Sequence, residues 1–199
     1  MTVLATDDFN RANANPIGTG WTTQTSNQAM QIVSNQATPN AVGSDAGAWK
    51  TGTFPNDQWV QARLFCVGTG TGGNGICLTL RNASGADTCY RLAANHQATT
   101  QNLQLGKFVA HSFTSIWQRL QSWTDGDLFR LEARGTTLRV FINGVQVGAD
   151  ATDSSVTAGN PGIGYSSVCT SGAVDNWSAG DFGVAVVTEQ SAIYRAHNW

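Results

Sequence analysis

The chemistry this chain can do is bounded first by its carboxylates. It carries only two glutamates, Glu132 and Glu189. A retaining glycosidase sets two carboxyl groups about 5 to 5.5 Å apart, one as nucleophile and one as acid/base. Glu132 lies in FRLEARGTTLRVFI, where strand alternation and a Gly135-Thr136 turn place it opposite Arg139 on the solvent side. That cross-strand pair contributes roughly 0.2 to 1 kcal/mol and gives Glu132 a structural role. Glu189 lies far away in the tail, so hydrolysis would have to use an aspartate pair built by folding. A second constellation is CYRLAANH, with Tyr90, Arg91 and His96 close together. A lyase needs a Tyr or His base and an Arg to neutralise the substrate carboxylate, and Tyr90 and His96 differ by an even step. His96, His111 and His197 otherwise read as loop or surface residues, and no Gly-x-Ser-x-Gly elbow supports a serine triad. The third chemistry is stacking of aromatic rings on sugar faces. Trp123, Tyr90 and Trp117 are the candidate carbohydrate-binding residues, and Trp123, beside the turn in QSWTDGD, is expected to be exposed. Trp49, Trp59 and Trp177 could join them. For every one of these rings the competing role is core packing, where an aromatic buries about 150 to 250 Å².

The elements that must position these groups are strands. In GDLFRLEARGTTLRVFINGVQVG, Phe129, Leu131 and Ala133 alternate with Arg130, Glu132 and Arg134, the period of a half-buried strand. Leu138, Val140 and Ile142 repeat the pattern, and Asn143-Gly144 is a strong hairpin signal because a type I′ turn needs positive φ at both central residues. These turns pair Ala133 with Leu138, Leu131 with Val140, Phe129 with Ile142 and Ile142 with Val145. One apolar face results, which a one-residue slip would destroy. Further strands are expected at 58–67, 75–81, 88–93, 103–109, 115–121 and 173–177, with a weak one around Met30, Ile32 and Val33. Residues 1–21 show no clear period. No stretch sustains a 3.6-residue repeat, and strands every 8 to 12 residues suit a sandwich or jelly roll.

Composition narrows the classes further. A chain of 199 residues, 41% hydrophobic and 12% charged, fits one all-β domain with a real core. The net charge of −2 and nine scattered arginines argue against nucleic acid, which needs a clustered basic face. No apolar run reaches the roughly 20 residues of a membrane helix, and MTVLATDDFNR lacks a signal peptide's pattern. Cys66, Cys77, Cys89 and Cys169 have no C-x-x-C spacing, which argues against a zinc site; Cys66, Cys77 and Cys89 sit in apolar strand-like runs and read as core thiols, with one bridge between neighbouring strands as the alternative. GTGTGGNG at 68–75 contains no Lys and opens no helix, so it is a turn rather than a phosphate loop.

With the strands placed, DDFNRANANPIGTGW resembles the D-x-F-N-R-A-x-x-x-x-x-G-x-x-W opening of bacterial and phage-encoded concanavalin A-like jelly-roll domains. The central meander resembles their hairpin, and is similar to the corresponding piece of laminin G-like domains. PGIGYSS and VDNWSAGD resemble their closing strands. The resemblance implies an all-β, two-sheet antiparallel β-sandwich over residues 1–182, one sheet concave and one convex, with 183–199 as a C-terminal extension. It implies no single function, since the architecture hosts lectins, glycosidases, lyases and virion proteins. The Glu-x-Asp-x-x-Glu pattern of its glucanase branch and the Gln-Ile-His type of motif of its alginate lyase branch are both absent. Many members carry structural calcium where the N-terminal segment meets the last strand, and Asp8 and Asp175 are the matching carboxylates; the alternative is that Asp7 and Asp8 cap a turn. In the tail, Val186, Ile193, Tyr194 and Trp199 make an apolar arm suited to packing on a neighbouring subunit. The expectation is a non-catalytic structural and binding protein on a phage virion surface, as capsid decoration or a tail-associated component. It would be extracellular or virion-bound, self-associated or held by other virion proteins, with cell-surface glycan as ligand. A secreted carbohydrate-binding module and a lyase or glycosidase are the alternatives.

Overall fold

The computed structural model describes residues 1–41, 44–66, 75–85, 87–96, 100–166 and 172–183. The proposed arm residues Val186, Ile193, Tyr194 and Trp199 lie outside them, as do Cys169, Glu189 and His197. The chain runs β1 (Thr2–Asp7), β2 (Trp21–Thr23), β3 (Met30–Val33), β4 (Gln36–Pro39), β5 (Ala46–Lys50), β6 (Gln58–Phe65), β7 (Ile76–Asn82) and β8 (Cys89–His96). It continues through β9 (Gln101–Val109), β10 (Ser112–Leu120), β11 (Leu128–Arg134), β12 (Thr137–Ile142), β13 (Val145–Gln146), β14 (Ala151–Thr152), β15 (Asn160–Tyr165) and β16 (Ala173–Asp181). Two sheets form. One has the order β13-β12-β11-β6-β16-β4-β3, with β1 added to β16 and β14 to β12; the other is β10-β9-β8-β7-β15-β5-β2. The expected two-sheet antiparallel sandwich is what the chain builds.

Period-2 alternation is the reason. Val60, Ala62 and Leu64 of β6, Phe129, Leu131 and Ala133 of β11, and Leu138 and Val140 of β12 are buried in one continuous core. Ile76, Leu78 and Leu80 of β7, Leu92 and Ala94 of β8, and Leu103 and Leu105 of β9 belong to the same core. The meander register is the expected one: Phe129 opposite Ile142, Leu131 opposite Val140, Ala133 opposite Leu138, and Ile142 opposite Val145. Asn143 and Gly144 both take positive φ, 50° and 82°, as a type I′ turn requires. Glu132 does pair with Arg139 across the backbone, but its side chain corrects the expectation. It is buried, 4% exposed, and it ion-pairs Arg130 at 2.8 Å. Arg139 instead makes a bidentate contact with Asp150, Nη2 to Oδ2 at 2.7 Å.

The opening motif, which shows no period, is a knot of polar bonds that closes the fold. The first strand, β1, pairs with β16, the last strand among the described residues, from Thr2↔Asp181 to Asp7↔Trp177. Asp7 then accepts from the Phe9 amide at 2.9 Å, from the Arg11 guanidinium at 2.6 and 3.2 Å, and from Trp21 Nε1 at 2.7 Å. The Trp21 ring lies edge-on to Trp177, centroids 4.9 Å apart. Burial pushes the Asp7 carboxyl up, yet its bonds to Arg11, Trp21 and the Phe9 amide hold it below the usual carboxylate range. The Asp, Phe, Arg and Trp of the motif are thus one structural cluster.

Candidate functional site

Of the three aromatic residues expected to bind sugar, the structure buries two. Trp123 is only 4% exposed. Its backbone is fastened both ways to Gln101, whose Oε1 accepts from the Trp123 amide at 3.0 Å and whose Nε2 donates to the Trp123 carbonyl at 2.8 Å. The ring is thereby folded inward, between His96 and Phe129 at centroid distances of 5.8 and 5.5 Å. Tyr90 is fully buried because it shares the inner face of β8 with Leu92 and Ala94. Its hydroxyl donates to Asp153 at 2.9 Å and accepts from the Val156 amide at 3.2 Å. Burial and the Asp153 carboxylate push it up to about 12. Trp117 is half-buried on β10 and lines an open hollow described below.

The lyase constellation is not assembled. Tyr90 and His96 stand at opposite ends of β8, roughly 20 Å apart at 3.3 to 3.4 Å per residue. Arg91, an odd step from Tyr90, belongs to the other face of the sheet. His96 Nδ1 instead lies 3.2 Å from the Cys66 carbonyl.

That other face holds a cleft the linear reading missed. Its floor is a row of small residues across neighbouring strands, where Gly47 pairs with Gly164, Gly164 with Cys77, and Thr79 with Arg91. Gln24, Asn27, Asp45, Asp87, Arg91 and Phe108 rise around that floor. Gln24 Nε2 donates to Asp87 Oδ1 at 2.8 Å in a buried contact, and the Asp87 carbonyl accepts from the His111 amide at 3.0 Å. Burial, helped by the like charge of Asp45, raises the Asp87 carboxyl against the opposing pull of Gln24, His111 and Arg91. The Arg91 guanidinium lies over two rings, 5.0 Å from the Phe108 centroid and 4.6 Å from that of Phe113. Gly106 permits this, because a Cβ there would sit 2.5 Å from the Phe113 ring. Arg91 Nε is buried without a hydrogen-bond partner in the described residues. The arrangement fixes two carboxylates, two amides and a guanidinium around one narrow opening edged by an aromatic ring. Such a set can accept from and donate to hydroxyls held at its mouth. Only the long-range pairing of loop residues 24–28 with β5, through Gln24 N to Gly47 O at 2.8 Å and Gln28 N to Asp45 O at 2.8 Å, brings the group together, and no local spacing signals it.

The calcium expectation meets a thin donor set. A hollow between β1 and β16 is lined by Thr6, Asp7, Asp8, Asn176, Trp177 and Ser178, and Asp175 is not among its lining. Asp8 caps its own turn, accepting from the Asn10 amide at 3.0 Å, and Asp175 accepts from the Asn176 amide at 2.7 Å. Asp7 is committed to Arg11 and Trp21. Calcium takes six to eight oxygens, and no group of three or more His, Cys, Asp or Glu is arranged to hold a metal among the described residues. The observed bonds are those of the turn-capping alternative. Cys66, Cys77 and Cys89 are all buried thiols; Cys66 belongs to the sandwich core as expected, whereas Cys77 and Cys89 line the cleft on the other face.

No protein-family model matches the chain, and no curated protein matches its sequence. Solved structures do match the fold. The carbohydrate binding module CBM66 from Bacillus subtilis superposes with a TM-score of 0.65 at 19% identity, over 82% of this chain and 96% of that one. A legume lectin-like domain from Entamoeba histolytica gives a TM-score of 0.52 at 14% identity, over 82% of this chain and 91% of that one. A protein described with the endo-acting O-glycanases of the human gut microbiota gives 0.62 at 10% identity, over 92% of this chain and the whole of that one. The chain therefore has a concanavalin A-like jelly-roll fold, an architecture that serves both binding proteins and enzymes.

Proposed function

We propose that this jelly roll is a non-catalytic carbohydrate-binding protein whose ligand sits at the mouth of the Gln24–Asp87–Arg91 cleft. The observation that carries the reading is the convergence of Asp45, Asp87, Arg91, Gln24 and Asn27 beside Phe108 on one sheet face. Glu132, one of the two glutamates, is spent on Arg130. The fold's likeness to a carbohydrate binding module and a lectin-like domain supports the class and does not name a sugar. A glycan array followed by calorimetry tests it. Replacing Asp87→Asn and Arg91→Met each removes a charged partner and should weaken binding about tenfold or more. An array with no bound glycan would sink the proposal.

A second reading rests on the two carboxylates themselves. Asp45 and Asp87 share the cleft, and burial shifts the Asp87 carboxyl upward, the direction that suits a general acid. Incubation with β-glucans, mucin glycans and polyuronates, read as new reducing ends or unsaturated product, separates the two. Product formation abolished by Asp87→Asn would make the protein an enzyme.

The finer placement, on a phage virion surface or otherwise outside the cell, is our reading of the opening motif's resemblance. A further support is β1, whose Val3 and Leu4 are 56% and 45% exposed and could meet a second copy or another virion protein. Mass spectra of purified particles lacking this chain would remove that placement.

A further inference from the structure

We infer that the hollow beside Trp117 is a second glycan site, selective for sugars bearing a carboxylate. This rests on the carbohydrate-binding reading and adds to it a separate surface and a ligand class. The hollow lies at the side of the sandwich, where β10, at the end of one sheet, approaches the segment 148–152 at the end of the other. A register shift between Ser115 and Trp117 interrupts the pairing of β10 with β9, a bulge of the kind that re-aims side chains. Beyond it Trp117 pairs with Leu105 and Arg119 with Leu103, so the indole and the guanidinium share one strand face, roughly 7 Å apart along the chain.

Gly148 keeps the space before them open. Its φ is +80°, and a Cβ there would stand 3.3 Å from Arg119 Nη1 and 4.0 Å from Trp117 Cζ2. The rim adds Gln118, Thr152 and Leu120, the last 73% exposed. Charge decides the ligand. Only Arg119 and Asp150 among the lining residues are charged. Asp150 is already neutralised by Arg139, with contacts of 2.9, 3.0 and 2.7 Å, and it also accepts from Gln146 at 2.8 Å. The Arg119 guanidinium has no hydrogen bond or ion pair among the described residues. The hollow thus presents a half-buried indole face next to one uncompensated cation. A pyranose ring covers the first through its C–H face, and a carboxylate on that ring engages the second bidentately. A neutral glycan satisfies only the stacking half.

Affinity electrophoresis of the intact protein in gels containing polygalacturonate, or the neutral polymer dextran, tests the inference. Wild type should be retarded by polygalacturonate and not by dextran, and salt should weaken the retardation. Arg119 is exposed, so Arg119→Gln should fold normally and lose about tenfold in affinity, with its residual binding insensitive to salt. Trp117→Phe should retain binding better than Trp117→Ala. Asp87→Asn, which disables the cleft, should leave the Arg119-dependent, salt-sensitive part of the polygalacturonate retardation in place. If Asp87→Asn abolishes it while Arg119→Gln does not, the cleft binds the acidic sugar and the second site is wrong, though the carbohydrate-binding reading survives. Absence of any glycan binding in gel or array removes both. Equal retardation by polyglutamate would show that the hollow takes acidic chains generally, which overturns the sugar-selective assignment.

Discussion

Replacing Asp7→Asn should loosen the corner where the two ends of the sandwich meet. Asparagine keeps the shape of the side chain but removes its charge and turns one acceptor oxygen into a donor. Asp7 now accepts three side-chain bonds, two from Arg11 and one from Trp21 Nε1, and Lys50 Nζ stands 3.6 Å away. The variant can keep one of these and leaves about two charge-assisted bonds broken, each worth roughly 1.5 to 3 kcal/mol. Arg11 is 35% exposed against 9% for Asp7, so water screens part of its share, and a loss of about 3 kcal/mol is the reasonable figure. For a chain of this size that lowers Tm by about 6 to 12 °C. The pH dependence gives an independent check. The Asp7 carboxyl is held below its unfolded value, so its stabilisation is complete above the ordinary carboxylate range and disappears as pH falls through the folded value. Thermal melts followed by circular dichroism should show the full gap between wild type and variant at neutral pH, closing as pH falls below the ordinary carboxylate range. A gap under about 2 °C at neutral pH would refute the reasoning, as would one that does not close in acid.

Three further outcomes follow from neighbouring features. Gly180→Ala would drive its methyl group into the Thr2 carbonyl and against the Trp59 ring at 3.0 Å, so it should release β1 and raise amide exchange across Val3 to Asp7 while the β11–β12 hairpin stays protected. Burial pushes the Cys89 thiol far up, and iodoacetamide at mildly alkaline pH should leave Cys89 unmodified in the native protein, as peptide mapping would show. Because Asp8 and Asp175 each cap a backbone amide, exchanging chelator for millimolar calcium should move Tm by less than about 2 °C; a larger rise would establish a calcium cage there.

Legibility in the sequence followed the range of the interaction. The meander could be read to the residue because its register is set by two turns and one apolar face, all within 23 consecutive positions. Trp123 misled because a Trp flanked by polar turn residues looks exposed, whereas Gln101, 22 positions earlier, fastens the loop inward. Tyr90 and Arg91 are adjacent in sequence, yet strand alternation sends them to opposite faces. Asp87 and Gln24 are 63 positions apart, and no periodicity in either segment announces that they meet. The opening motif resembled a family signature, and its physical content, a carboxylate bonded to the Phe9 amide, Arg11 and Trp21, emerges only once β1 lies on β16.

The pairing of β1 with β16 also fixes how this protein responds to force. Thr2 lies opposite Asp181, so a pull applied at these two residues acts at one end of an antiparallel ribbon, across its hydrogen bonds. Those bonds then open one after another, as a zipper does, instead of sharing the load in shear. A jelly roll so tethered is a poor strut in a stretched tandem array. It is better suited to hang from a single attachment point, with Thr2 and Asp181 side by side and the sheet faces free of tension.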